Sequence, residues 1–214
     1  MNKRKRYSIL FVSILFELTL AAQAPQQYGI KCGTFYYAVQ SIINIPGTPS
    51  LKVTATGKSC FDEYGIKEAT QYTETADPGE AMLRHTKHYF SLSLPDYYCL
   101  INTDTNEKVD ERDLSNTTKE ILAQHRITNY DSLSDIEAEI YSSQFVGTTV
   151  YLAKNCKKYK ITEKTPLYGS EDIVVVWNNI VLHRISKTSC FQYEYKVTKI
   201  DENIPEDTTF KIPE

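Results

Sequence analysis

The sequence has almost none of the short motifs by which enzymes are read. It holds no glycine-rich phosphate loop, no G-x-S-x-G and no H-E-x-x-H. Those absences remove the nucleotide-binding, serine-hydrolase and zinc-protease readings. Five cysteines are present, but no C-x-x-C, so neither a thioredoxin-like motif nor a zinc knuckle is written here. There is no internal repeat and no low-complexity linker. Only one long apolar run occurs, and it lies at the N-terminus.

That run is the first positive signal. Lys3, Arg4, Lys5 and Arg6 precede an apolar stretch broken only by Ser13, Glu17 and Thr19, and Ala21, Ala22 and Ala24 follow. A basic head, an apolar middle and a small-residue exit predict a secretory signal peptide over residues 1–24, cut between 21 and 24. The competing reading is a membrane anchor, but the run is shorter than the roughly 20 apolar residues a spanning helix needs. The mature chain, 25–214, is then one domain, periplasmic or extracellular, with no further membrane span. Of the 24 basic and 27 acidic side chains, removal of the signal leaves 20 and 26. No basic stripe remains, so nucleic acid is not an expected partner. Export makes disulfides the default for Cys32, Cys60, Cys99, Cys156 and Cys190, and an odd number leaves at least one unpaired.

The mature chain alternates. Phe35, Tyr37, Val39, Ile43 and Ile45 share one parity; after the turn residues 46–50, so do Leu51, Val53, Ala55 and Phe61. Period two marks antiparallel strands with one buried face. Segments 30–45 and 51–61 read as a hairpin that sets Cys32 nearly opposite Cys60, a disulfide candidate. Strands are also expected at 66–75, 83–94 and 97–103. Residues 147–161 read as one strand. Residues 172–185 read as another, bent at Asn178-Asn179. Phe191, Tyr193, Tyr195 and Val197 define one face of the last strand, and a proline-bearing tail crosses the surface after it.

Between the two groups of strands the period changes. Leu114, Ile121, Leu122 and His125 fall at helical spacing over 110–126, and a second helix is expected from Asp131, with Leu133, Ile136 and Ile140 as its stripe. Strands, two helices, strands predicts an α+β domain: a curved antiparallel sheet, an open half-barrel, with two helices on one face. Ile173 to Trp177 are apolar at every position, so that strand needs cover on both faces or lines a cavity.

Three stretches add a resemblance. CFDEYGIKEATQYTET at 60–75 resembles the YFDDYG hairpin of a family of unknown function in exported bacterial proteins. KNCKKY at 154–159 resembles the strand after its helices. VVVWNNIVLHR with VTKIDENIPEDTTFKIPE resembles its C-terminal pattern. That family is similar in shape to periplasmic lipoprotein-carrier, LolA-like proteins, which implies an open half-barrel holding acyl chains beneath helices. This chain departs from the pattern at Cys60, where the family carries tyrosine.

The chemistry-bearing residues have plain structural readings. Asp62, Glu63 and Glu68 flank Tyr64-Gly65 as a decorated turn. His85 and His88 sit three apart, which on a strand sends them to opposite faces. A Cys–His nucleophile lacks a designated histidine. The expectation is therefore a non-catalytic protein with no cofactor and no metal. It binds an apolar or lipid-like ligand between a wall of Phe35, Tyr37, Val39, Val174, Val176 and Trp177 and a lid of Ile121, Leu122, Ile136 and Ile140. The alternative is a protein-interaction domain with a filled core. A cysteine-dependent enzyme is third.

Overall fold

A computed structural model describes residues 28–44, 47, 49–77, 84–114, 127, 129–164, 171–188 and 190–213. The expected signal segment, and Ile121, Leu122 and His125, lie outside them. The strands are β1 (Gly33–Ile43), β2 (Leu51–Asp62), β3 (Lys67–Asp77), β4 (His85–Leu94), β5 (Tyr97–Asn102), β6 (Glu107–Asp113), β7 (Tyr141–Tyr151), β8 (Lys154–Glu163), β9 (Glu171–Trp177), β10 (Ile180–Lys187) and β11 (Phe191–Asp201). They form one sheet in the order β6-β5-β4-β3-β2-β1-β11-β10-β9-β8-β7. Two meanders, β1–β6 and β7–β11, are joined by the antiparallel β1–β11 pair, and the sheet is open at β6 and β7.

This corrects the expected α+β class. Among the described residues there is one α-helix, α1 (Asp135–Ile140), six residues long. No pair of helices packs on a face there. The start of the first expected helix is strand β6, paired to β5 through Tyr97↔Asp113 and Leu100↔Asp110. Its helical signal was three apolar residues and a histidine in seventeen positions, too sparse to outweigh a hairpin with β5. The second helix does form, but it starts later than Asp131, with Ser134 as its cap. Ser134 Oγ accepts from Glu137 N at 3.3 Å, and Glu137 Oε2 accepts from Ser134 N at 2.7 Å, a capping box. It stops at Ile140 because the next eleven residues, rich in Thr, Val, Phe and Tyr, favour a strand.

The hairpin turns explain two further corrections. Asn178 and Asn179 hold φ of 48° and 63°, the left-handed pair of a tight two-residue turn. They separate β9 from β10 instead of bending one strand. Leu152 and Ala153 do the same at 49° and 58°, dividing β7 from β8. Asparagine tolerates that region, whereas a Leu-Ala pair gives no signal for it.

The largest cluster of buried side chains unites odd-numbered residues of β1 and β2, including Phe35, Tyr37, Val39 and Phe61, with Tyr72, Tyr89, Tyr98, Leu182, Tyr195 and Val197. On the other face of β3–β5, Ala69, Phe90, Leu92, Cys99 and Ile101 pack together, with Phe210 of the C-terminal tail against them. The tail thus lies on the sheet. β9 is covered on both faces, one of the two outcomes its unbroken apolar run allowed. Val175 joins the main cluster, while Val174 and Val176 pack with Tyr159, Ile161, Ile127 and Tyr130.

Candidate functional site

The structure divides the expected wall. Phe35, Tyr37 and Val39 are only 5–6% exposed and belong to the main cluster. Val174 and Val176 lie in a separate cluster. Trp177, one residue further along the same strand, packs against the main cluster instead, and Lys154 Nζ lies 4.4 Å from its ring centre. Neighbouring residues of a strand point to opposite faces, so Val174 and Val176 do not share a surface with Trp177 and the three β1 residues. Ile136 and Ile140 are half-buried on α1. The remaining two lid residues lie outside the described residues.

The acidic turn is structural at its tip. Asp62 Oδ1 accepts from Glu63 N at 2.7 Å. Glu63, Tyr64 and Gly65 hold φ of 52°, 61° and 84°, and Glu63 pairs with Lys67 at 2.5 Å on the surface. Beyond the turn, Phe61 faces Glu68, Ser59 faces Thr70, Gly57 faces Tyr72 and Ala55 faces Glu74. That register carries two acids into the interior. Glu68 is 5% exposed; it accepts from Ser59 Oγ and from Tyr28 OH at 3.4 Å. Thr70 Oγ1 in turn donates to Ser59 Oγ at 2.9 Å. Glu74 is 7% exposed, and burial raises its carboxyl to about 7 against a smaller downward pull from Lys87. Burial likewise pushes the Tyr89 phenol up to about 12, with Glu74 adding to it. Sequence alone hid these acids because both faces of β3 are equally polar in composition. The only usable signal was the pairing Phe61↔Glu68 across the turn.

The opposite face of the same strands holds an open cleft of about 640 Å³. Two cross-strand rows shape it. One runs Lys199–Tyr36–Lys58–Gln71–Phe90, the other Lys196–Ala38–Thr56–Thr73–His88. Tyr36 is 36% exposed, with Lys199 Nζ 5.1 Å above its ring. Thr198 Oγ1 donates to Tyr36 O at 3.2 Å, and Thr198 lines the cleft, as does Pro213 of the tail. At the far end Asp104 accepts from His88 N at 2.9 Å and pairs with its Nδ1 at 2.8 Å; these contacts hold the Asp104 carboxyl below its usual range. The cleft therefore joins apolar surface to lysine, amide and hydroxyl groups. Sequence reading missed it because it treated the even-numbered face only as the polar side.

The other chemical candidates disperse. All five cysteines are free thiols. The β1–β2 register is centred on Gly47, so Thr34 rather than Cys32 lies opposite Cys60. Thr34 Oγ1 donates to Cys60 Sγ at 3.3 Å. Burial pushes the Cys99 and Cys156 thiols up, away from the thiolate a nucleophile needs. His85 faces Ala76 and His88 faces Thr73, on opposite sides of β4. His183 Nε2 lies 2.9 Å from Glu194 Oε1. Among the described residues no three His, Cys, Asp or Glu side chains gather as a metal would require, and no helix is long and apolar enough to cross a membrane.

No family model and no curated protein matches this sequence. Solved structures are similar to it at low identity. A beta-barrel-like protein of a domain of unknown function from Brucella abortus is 8% identical, over 81% of this chain and 98% of that one, with a TM-score of 0.45. A LolA superfamily protein from Nitrosomonas europaea is 10% identical, over 94% and 96%, with a TM-score of 0.39. The Pseudomonas aeruginosa MucA/MucB complex contributes a chain 10% identical, over 92% of this chain and 60% of that one, with a TM-score of 0.45. At these TM-scores none of them lends this chain a family or an activity.

Proposed function

We propose that this chain is an exported, non-catalytic binding protein that takes an amphipathic, lipid-like ligand in the cleft between Tyr36, Lys58, Phe90 and the C-terminal tail. The supporting observation is the cleft itself. Its volume, about 640 Å³, lies within the roughly 300–1,000 Å³ of small-molecule sites, while the expected wall residues of the main cluster are packed away from water. Tyr36, Ala38 and Pro213 offer the apolar body of a ligand a place to leave water, at about 25 cal/mol per Å², above a floor closed by the buried Phe90. Lys58 faces an anionic head. Placement on this face replaces the groove between sheet and helices.

Native mass spectrometry with palmitate and with its neutral monoglyceride tests the reading. Wild type is expected to take up both. Ala38→Trp, which fills the cleft, abolishes uptake of each, and Lys58→Glu weakens palmitate about tenfold, roughly 1.4 kcal/mol, while sparing the neutral lipid. Absence of uptake by wild type overturns the reading. Uptake unchanged in both variants removes the cleft as its site.

A further inference from the structure

The cleft is cationic where it meets β11. The row Lys199–Tyr36–Lys58 crosses β11, β1 and β2, and Lys196 opens the next row opposite Ala38. Lys58 is half-buried, and Lys196 and Lys199 are exposed. Among the described residues no carboxylate pairs with any of the three, although Lys67, Lys108, Lys154, Lys157 and Lys160 each hold one. The acids on the flanking rows are engaged elsewhere. Asp201, opposite Thr34, accepts from the backbone and side-chain amides of Asn203 at 3.1 and 2.6 Å. Glu194, opposite Gln40, lies 2.9 Å from His183 Nε2. Asp104 holds His88 at the far end. A half-buried lysine without a counter-charge carries part of its desolvation cost uncompensated. An anion from outside supplies what the chain withholds, even though the chain has 27 acids against 24 bases.

Resting on the lipid-like reading of this cleft, we propose that its polar end takes a phosphate monoester, the head of an acidic lipid, between Lys58, Lys199 and Lys196. Lys58 and Lys199 flank Tyr36 at two strand spacings, about 10 Å, so their flexible stems can converge from either side on one group above the ring. Lys199 Nζ already leans inward, 5.1 Å from the ring centre. At an exposed site that cation–π contact is weak enough to give way to a charge-assisted hydrogen bond. Thr56 and Thr73, in the row with Lys196, line the cleft and add hydroxyl donors. Charge selects the monoester. It carries about −1.5 to −2 at neutral pH and three acceptor oxygens, whereas a carboxylate or a phosphodiester brings a single charge to the same cations.

Calorimetric titration of the mature protein tests this with dihexanoyl phosphatidate, dihexanoyl phosphatidylglycerol, neutral dihexanoylglycerol and glycerol 3-phosphate. Circular dichroism confirms the fold of each variant. Phosphatidate is expected to bind at least about tenfold tighter than phosphatidylglycerol, whose head is a phosphodiester. Lys196→Gln combined with Lys199→Gln brings the two within about threefold of each other, and added salt narrows the gap in wild type. Equal affinity of wild type for the two charged lipids overturns the proposal, as does a preference unmoved by the double variant. Glycerol 3-phosphate bound as tightly as phosphatidate keeps the phosphate site and removes the lipid reading. Neutral lipid bound as tightly as phosphatidate keeps the lipid reading and removes the phosphate site. Binding of none of the probes overturns both.

Discussion

Phe61→Ala is expected to cost about 3–5 kcal/mol of folding stability, the range for removing a buried phenylalanine. Phe61 is fully buried. Its ring meets Tyr28 edge-on at 4.7 Å and lies tilted against Phe35 at 5.3 Å. Gly33 makes room for it: a Cβ there would come within 3.2 Å of the Phe61 ring. Truncation therefore removes apolar burial, two aromatic contacts and the ring that fills the space beside Gly33, next to a chain with little freedom to collapse. A domain stable by roughly 5–15 kcal/mol would lose a large share of its margin. Urea unfolding measures it as a fall in midpoint at unchanged slope. Phe145→Ala, at an exposed site, should stay within about 0.5 kcal/mol at low protein concentration. Equal, small effects at both positions would contradict the packing around Phe61.

The second large effect is a loss of stability as the solution turns from acid to mildly basic. Burial raises the Glu74 carboxyl from 4.5 to about 7 in the folded chain. The folded state therefore holds a proton that the unfolded state releases between those values. Stability from this group is fully present below the unfolded value, declines as pH rises through the interval, and is gone above the folded value. The shift converts to about 3 kcal/mol at 1.36 kcal/mol per unit. Glu74→Gln keeps the shape without the ionisation. Its stability should be nearly flat where wild type declines, and it should exceed wild type at pH 8. Parallel denaturation curves for the two proteins from pH 5 to 8 would refute a buried, protonated Glu74.

The two buried acids show how far sequence reading reached. Alternation in β1, β2 and β11 declared both the strands and their buried faces, because apolar and polar residues there take turns. β3 reads Lys, Glu, Ala, Thr, Gln, Tyr, Thr, Glu and takes no such turns, so its inward face followed only from pairing with β2. The same limit governed the cysteines. Any displacement of a turn centre is doubled at the cross-strand partner, so a nearly opposite pair in the sequence becomes Thr34, not Cys32, opposite Cys60. The cleft depends on still longer connections: Tyr36 and Thr198 are 162 positions apart, and no local pattern joins them.

The sequence by itself determined where most of the strands lie, and that Ile173 to Trp177 are either covered on both sides or line a cavity. These are local properties, set by the two-residue period of a strand and the few residues that tolerate a tight turn. Tertiary structure alone decided that the region after β5 opens as another strand, that Glu68 and Glu74 enter the interior, and that β6 and β7 stand at opposite ends of one sheet. Each of those depends on which strand lies beside which and in what register. Hydrogen bonds and burial between distant segments fix that choice, and no short window of sequence contains both partners.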